Sequence, residues 1–245
     1  STVTKAKIFA KNLDTNQTVL IASHGELDVK ISDDFDNVEA AANDAVLSIV
    51  LGDASSVEIP SINLADAVSL NADATVSAVV DNYFLSTEAG NFVSSNNISV
   101  LQAQAVESSG TAISFNIEDN YSSIDTAFGN GNLPDANLTL AVAESLAEAK
   151  ELFTGTTGGS TEVDNFAMAA GVNFTDMDVA EFRAVTDATN LAAFKSQISI
   201  EDDVAQINPT LHIINGQALP KSAVHATNLS FAEAETAYTT FHSSD

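Results

Sequence analysis

The stretch Asn97-Ile98-Ser99-Val100-Leu101-Gln102-Ala103-Gln104 decides how the rest of the chain is read, because its pattern returns. Asn137-Leu138-Thr139-Leu140-Ala141-Val142-Ala143-Glu144 and Asn228-Leu229-Ser230-Phe231-Ala232-Glu233-Ala234-Glu235 keep the same order: Asn, apolar, Ser or Thr, apolar, two variable residues, Ala, then Glu or Gln. A looser copy, Asn173 to Glu181, carries one extra residue. The opening suits a short strand or the start of a helix, with the hydroxyl capping the next turn. The Ala- and Glu-rich continuation favours helix, so a helix is predicted over Ala141 to Phe153, stopped by Gly155, Gly158 and Gly159.

Working outward, Ala112 to Asp119 alternates apolar and polar residues as a half-buried strand does, and Gln197 to Asp203 repeats that form with the same acidic ending. Strand, short helix and strand recurring in this way suit a stacked repeat array. Towards the N-terminus the alternation of Thr2 to Lys11, the turn residues Asn12 to Gln17 and the run Thr18 to Ala22 predict a hairpin. Leu27 to Ile31 alternates again. Val38 to Asn43 reads as a short helix and Ala45 to Leu51 as a buried strand. The expected fold is mixed α/β, with a β-rich N-terminal segment over residues 1–60 and stacked strand–helix repeat units over 61–245.

Composition narrows the partners. The 245 residues hold 34 Asp and Glu against 8 Lys and Arg, a net charge of −26. Such a surface repels nucleic acid and anionic lipid, because each phosphate contact needs a cation on the protein. No apolar run approaches the roughly 20 residues that span a bilayer, so no membrane insertion is expected. Cysteine is absent, which leaves the core, a metal or assembly to hold the fold. The absence of an initiator Met at Ser1 fits a processed or trimmed N-terminus.

The residues Ile98 to Ala105 followed by Ile113 to Asp119, with the wealth of Ala, Asp, Asn, Ser, Thr and Val, resemble the degenerate repeats of secreted bacterial adhesins and surface-layer proteins. The resemblance covers about Asn97 to Phe241. It implies a non-enzymatic structural protein, extracellular or at the cell surface, that self-assembles into a layer, filament or adhesin as a homo-polymer. The calcium-binding glycine–aspartate nonapeptides of one class of such proteins are missing, so calcium is not carried over by the resemblance.

Candidate chemistry is carried by acid clusters. Asp33-Asp34-Asp36, Glu118-Asp119, Asp176-Asp178 and Glu201-Asp202-Asp203 offer hard oxygen ligands at close spacing, which suits calcium as a candidate cofactor. The competing reading is solvated turns at strand ends. None of the four His sits in an HExxH arrangement, although His212 and His225 flank the Pro220 loop. No Gly-x-Ser-x-Gly elbow, dinucleotide fingerprint or P-loop occurs, so no enzyme is expected. Lys5, Lys7 and Lys11, with Ile8 and Phe9 between them, make a basic strand on an acidic body, which suits head-to-tail assembly by strand addition or an ordinary protected edge. The alternative function is a carbohydrate- or surface-binding module of a larger adhesin or a phage tip protein, with a surface glycan as a candidate partner.

Overall fold

A computed structural model describes residues 30–86, 97–219 and 223–235. The predicted N-terminal hairpin and its Lys5, Lys7, Ile8, Phe9 and Lys11 lie outside these residues. The fold is mixed α/β with parallel sheets. The chain divides into two compact units, one running to Ile117 and including Asn132–Asn137, the other made of Glu118–Gly131 and Leu138 onward.

Three sequences of one form generate much of the local structure. In Ile31-Ser32-Asp33-Asp34-Phe35, Ile117-Glu118-Asp119-Asn120-Tyr121 and Ile200-Glu201-Asp202-Asp203-Val204 a buried Ile ends the core face of a strand. Three polar residues follow, the last of them at the N-cap position of a helix. The residue after each cap is buried, and so is the one three further on: Phe35 and Val38, Tyr121 and Ile124, Val204 and Ile207. The cap interrupts the strand period of two and starts the helical spacing that sets two apolar side chains on one face.

In the first unit the strands β1 (Lys30–Ser32), β2 (Ser56–Ile62) and β3 (Asn82–Leu85) lie side by side in chain order. All are parallel, with Ile31 opposite Val57 and Ile59 opposite Tyr83. Parallel neighbours need crossovers. Here helices α1 (Phe35–Ala42) and α2 (Leu47–Asp53) join β1 to β2, and α3 (Leu64–Ala72) with α4 (Ala74–Ser77) join β2 to β3. The short β4 (Asn97–Ile98) leads through α5 (Val100–Ser108) to β5 (Asn116–Asn120), again in parallel. Strand residues Ile31, Val57, Ile59 and Ile62 and helix residues Val38, Ala67, Leu70, Val76 and Ala103 are all at most 3% exposed. The Tyr83 hydroxyl donates to the Ala105 carbonyl oxygen at 2.5 Å, which pins α5 to the strand layer.

In the second unit α6 (Tyr121–Gly129) follows β5, and β6 (Thr139–Ala143) pairs in parallel with β7 (Asn165–Met168) across α7 (Leu146–Thr154). After α8 (Val179–Thr186) and the short α9 (Leu191–Phe194), β8 (Ile200–Asp203) pairs with β9 (Val224–Thr227) across α10 (Val204–Gly216). Phe182 and Val185 are fully buried on α8, and the Phe174 and Phe194 rings stack at 4.1 Å. Gly155 ends α7 in the left-handed conformation at φ 55, a position glycine adopts without a Cβ clash.

Side chains extend the ladders where no strand continues. The Val57 N–H donates to Asp81 Oδ2 at 2.7 Å while the Asp81 N–H returns to the Val57 carbonyl at 2.9 Å. Asp164 makes the same reciprocal pair with Thr139, at 2.7 and 2.9 Å. At Met168 the Asn190 amide does both jobs: its Oδ1 accepts from the Met168 N–H at 2.9 Å and its Nδ2 donates to the Met168 carbonyl at 2.8 Å. Buried backbone groups are thereby paired without another strand.

Two expectations are corrected. Ala45 to Leu51 is not a strand: Leu47–Asp53 forms α2, because Asp44 Oδ1 accepts from the Val46 and Leu47 N–H groups at 2.8 and 2.9 Å and starts a helix. A short apolar run has no period of its own, so the local cap decides. The copy at Asn137 also differs from its fellows. Thr139–Ala143 is strand β6, with Thr139, Ala141 and Ala143 buried in alternation, and the helix begins only at Leu146 after the Ser145 cap. Thr139 is held in the sheet through Asp164, whereas Ser99 and Ser230 are free to turn their hydroxyls onto the next helical turn.

Candidate functional site

The acid clusters anticipated from the sequence fall at strand-to-helix corners. At the first, Asp34 Oδ1 accepts from the Asn37 N–H at 3.0 Å, and Asp33 Oδ1 accepts from the Asp34 N–H at 2.9 Å and from Asn37 Nδ2 at 2.9 Å. Asp36 lies in the first turn of α1, where its charge meets the positive end of the helix dipole. At the second, Asp119 Oδ1 accepts from the Asn120 N–H at 2.8 Å and Asn120 caps Ser123 at 2.8 Å, while Glu118 is exposed. At the third, Asp202 spans two neighbours: its Oδ1 accepts from the Asp203 N–H at 2.7 Å and its Oδ2 from the Val179 N–H at 2.9 Å. Asp203 accepts from Thr227 Oγ1 at 3.3 Å and from Asn228 Nδ2.

Asp178 begins α8 with a reciprocal capping box. Its Oδ1 accepts from the Glu181 N–H at 2.6 Å, and Glu181 Oε2 accepts from the Asp178 N–H at 3.1 Å. Lys150 stands 3.4 Å from Asp178 and 3.9 Å from Glu181. Neutral residues do the same work elsewhere: Ser99 with Gln102 at α5, Asn63 with Asp66 at α3, and Ser145 with Glu148 at α7. The same arrangement at Ser230 holds the Glu233 carboxyl below the usual range, first through the Ser230 hydroxyl and then through its N–H. Asp33, Asp34, Asp119, Asp178 and Asp202, half of the ten clustered acids, are thus committed to backbone donors.

Asp176 and Glu201 are brought together from two different clusters, and His225 joins them. One ligand atom from each lies within 4.8 Å of the others, and all three residues are exposed. Register explains the meeting. Met177 bridges Ile200, Ile200 pairs with Val224, and Glu201 pairs with His225 on three successive parallel segments. Met177 and Ile200 point into the core, so the alternate position Glu201 points out. Asp176 takes the left-handed conformation at φ 55, and its N–H donates to Ser199 Oγ at 2.7 Å. His212 is placed on α10, its Nδ1 3.1 Å from the Pro209 carbonyl. Sequence reading grouped acids by adjacency and left His225 out. The usable signal was the offset between Ile200-Glu201 and Val224-His225, which only strand pairing turns into a contact.

A second group surrounds the 3-10 turn Gly158–Glu162 in the same unit. Asp125 Oδ1 accepts from the Gly159 N–H at 2.7 Å. A Cβ on Gly159 would lie 2.7 Å from the Asp125 Cα, so the turn seats only a glycine there. The Tyr121 hydroxyl is buried beside this turn with the Glu151 carboxylate and Ser160 near it, and forms no hydrogen bond of good geometry. Burial first, and the Glu151 carboxylate second, push its pKa far above the ordinary phenol value. Two neighbouring corners of the first unit form a shallow polar groove lined by Asp34, Asp36, Ser61, Asn63, Asp66 and Ser86. No described helix is long and apolar enough to cross a membrane. Compared with known proteins, the chain matches no family model, no curated protein and no solved structure.

Proposed function

We propose that this chain is a non-enzymatic structural module of an extracellular or cell-surface assembly, in which strand–corner–helix units stack after a β-rich N-terminal part and adjoin further copies end to end. The observation that carries this reading is the recurrence of one corner design from Asp34 to Ser230, with acids and neutral caps interchanged. A chain that spends its carboxylates on turns has the economy of a scaffold whose units are added in series. Sheets built from strands in chain order also have outer strands, the kind of edge to which another strand is added.

Negative-stain microscopy with light scattering tests this, first in millimolar calcium and then in chelator. Ordered filaments or sheets are expected, and their loss in chelator would assign calcium to the assembly contacts. A monodisperse monomer under both conditions refutes self-assembly. A second reading, a module for a surface glycan, is favoured by the groove of Asp34, Asn63 and Asp66, whose carboxylates and amide match sugar hydroxyls. Retention on immobilised glycans, lost on Asp66→Ala, is the result that reading expects.

A further inference from the structure

We propose that Asp176, Glu201 and His225 form a binding site for a divalent transition metal of the zinc type. The three groups reach one point from three successive parallel segments, and their ligand atoms lie within 4.8 Å of one another. A tetrahedral zinc site with bonds of about 2.0–2.2 Å sets its ligand atoms about 3.4 Å apart. Exposed side chains close that difference by rotating about their own bonds, with no movement of the strands. Two carboxylates and one imidazole fill three positions and leave the remainder to water. Calcium takes oxygen ligands at high number and would leave the imidazole unused, whereas zinc and its neighbours take imidazole and carboxylate together.

The fold does not require this set of residues. At the equivalent point of the first corner Ser32 stands opposite Glu58, and Glu58 opposite Asn82, with no imidazole. The same strand-end geometry therefore forms with ordinary side chains, and the ligand set belongs to the third corner alone of these two. Among the neighbouring acids Asp178 is held by Glu181 and Asp202 by the Asp203 and Val179 N–H groups, whereas Asp176 Oδ1 accepts only a side-chain hydroxyl, Ser199 Oγ at 3.1 Å, and Glu201 projects from the outer face of β8. A bound cation would tie β9 to β8 and to the segment before α8, adding a cross-link to a pair of four-residue strands.

The test is titration of the full chain with zinc against a chromogenic chelator, alongside cobalt as a spectroscopic probe. The wild type is expected to show a site whose zinc affinity falls at least tenfold in His225→Ala and in Glu201→Gln, and which persists in His212→Ala. Cobalt bound there should give visible absorption that His225→Ala removes. Zinc should raise the melting temperature of the wild type and not of His225→Ala. Because all three side chains are exposed, circular dichroism should show each variant folded. Equal zinc affinity in wild type and His225→Ala overturns the proposal, as does calcium binding that depends on Glu201 and is indifferent to His225.

Discussion

Asn190 offers the sharpest test of how the ladders end. Its amide stands where a peptide of a neighbouring strand would stand, accepting from the Met168 N–H and donating to the Met168 carbonyl. Met168 is 4% exposed, so truncation leaves two backbone groups poorly reached by water. With about 1–3 kcal/mol for each buried group left unmet, Asn190→Ala should cost about 2–6 kcal/mol in total. For a chain of this size, roughly 2–4 °C per kcal/mol converts that to a fall of about 4–24 °C in melting temperature. Asn190→Asp is nearly isosteric, yet it turns the donating arm into an acceptor aimed at a carbonyl oxygen. It should destabilise at least as much as Ala. Thermal and urea unfolding of the two variants decide the matter. An Asn190→Asp protein as stable as wild type would refute the donor–acceptor reasoning, and an Asn190→Ala protein within about 0.5 kcal/mol of wild type would refute the burial argument.

Gly159→Ala drives a methyl into the Asp125 backbone at 2.7 Å and should cost about 1–3 kcal/mol by urea unfolding, while Gly52→Ala, with open space around it, should be neutral or stabilising. Asp178→Ala removes a capping box and should cost about 0.5–2 kcal/mol, whereas Asp178→Ser should recover most of that in the same assay. Phe182→Ala opens a cavity in the second unit at a side chain 0% exposed, with an expected loss of about 3–5 kcal/mol. Tyr121→Phe deletes a buried hydroxyl that lacks a well-formed hydrogen bond and should leave stability at neutral pH unchanged or raised. The folded chain also holds the Tyr121 proton beyond the unfolded phenol value of 10.0, so its contribution is present below that pH and lost as pH rises above it. Urea midpoints from about pH 8 to about pH 11 should therefore fall less steeply in Tyr121→Phe than in wild type. An unchanged alkaline slope would count against that assignment.

The mixed α/β character was legible because alternating and Ala-rich helix-favouring stretches both occur, as in Ala112 to Asp119, where the strand Asn116–Asn120 forms, and Val38 to Asn43, where the helix Phe35–Ala42 forms. The stop at Gly155 was equally plain. What misled the reading was the weight given to Asn-apolar-Ser/Thr matches, since a hydroxyl beside apolar residues serves a strand at Thr139 and a cap at Ser99 with equal ease. The pattern with more structural content was Ile-x-Asp-Asp/Asn-apolar, at Ile31, Ile117 and Ile200, which fixes strand end, cap and helix start in one phrase. The contact of Asp176, Glu201 and His225 was not legible, because adjacent residues on one strand face opposite ways and the true neighbours are a crossover apart.

The interchange of Asp34, Asn63, Ser99 and Asn120 at the same structural post has a consequence for the net charge of −26. Asn, Asp and Ser cap a helix about equally well, so geometry is indifferent to whether a corner is ionised. The electrostatic load and the architecture are therefore inherited separately. A lineage moving between brines, fresh water and polycationic surroundings would retune its colloidal behaviour by exchanging Asp for Asn at corners, one substitution at a time, while every strand and helix stayed where it was.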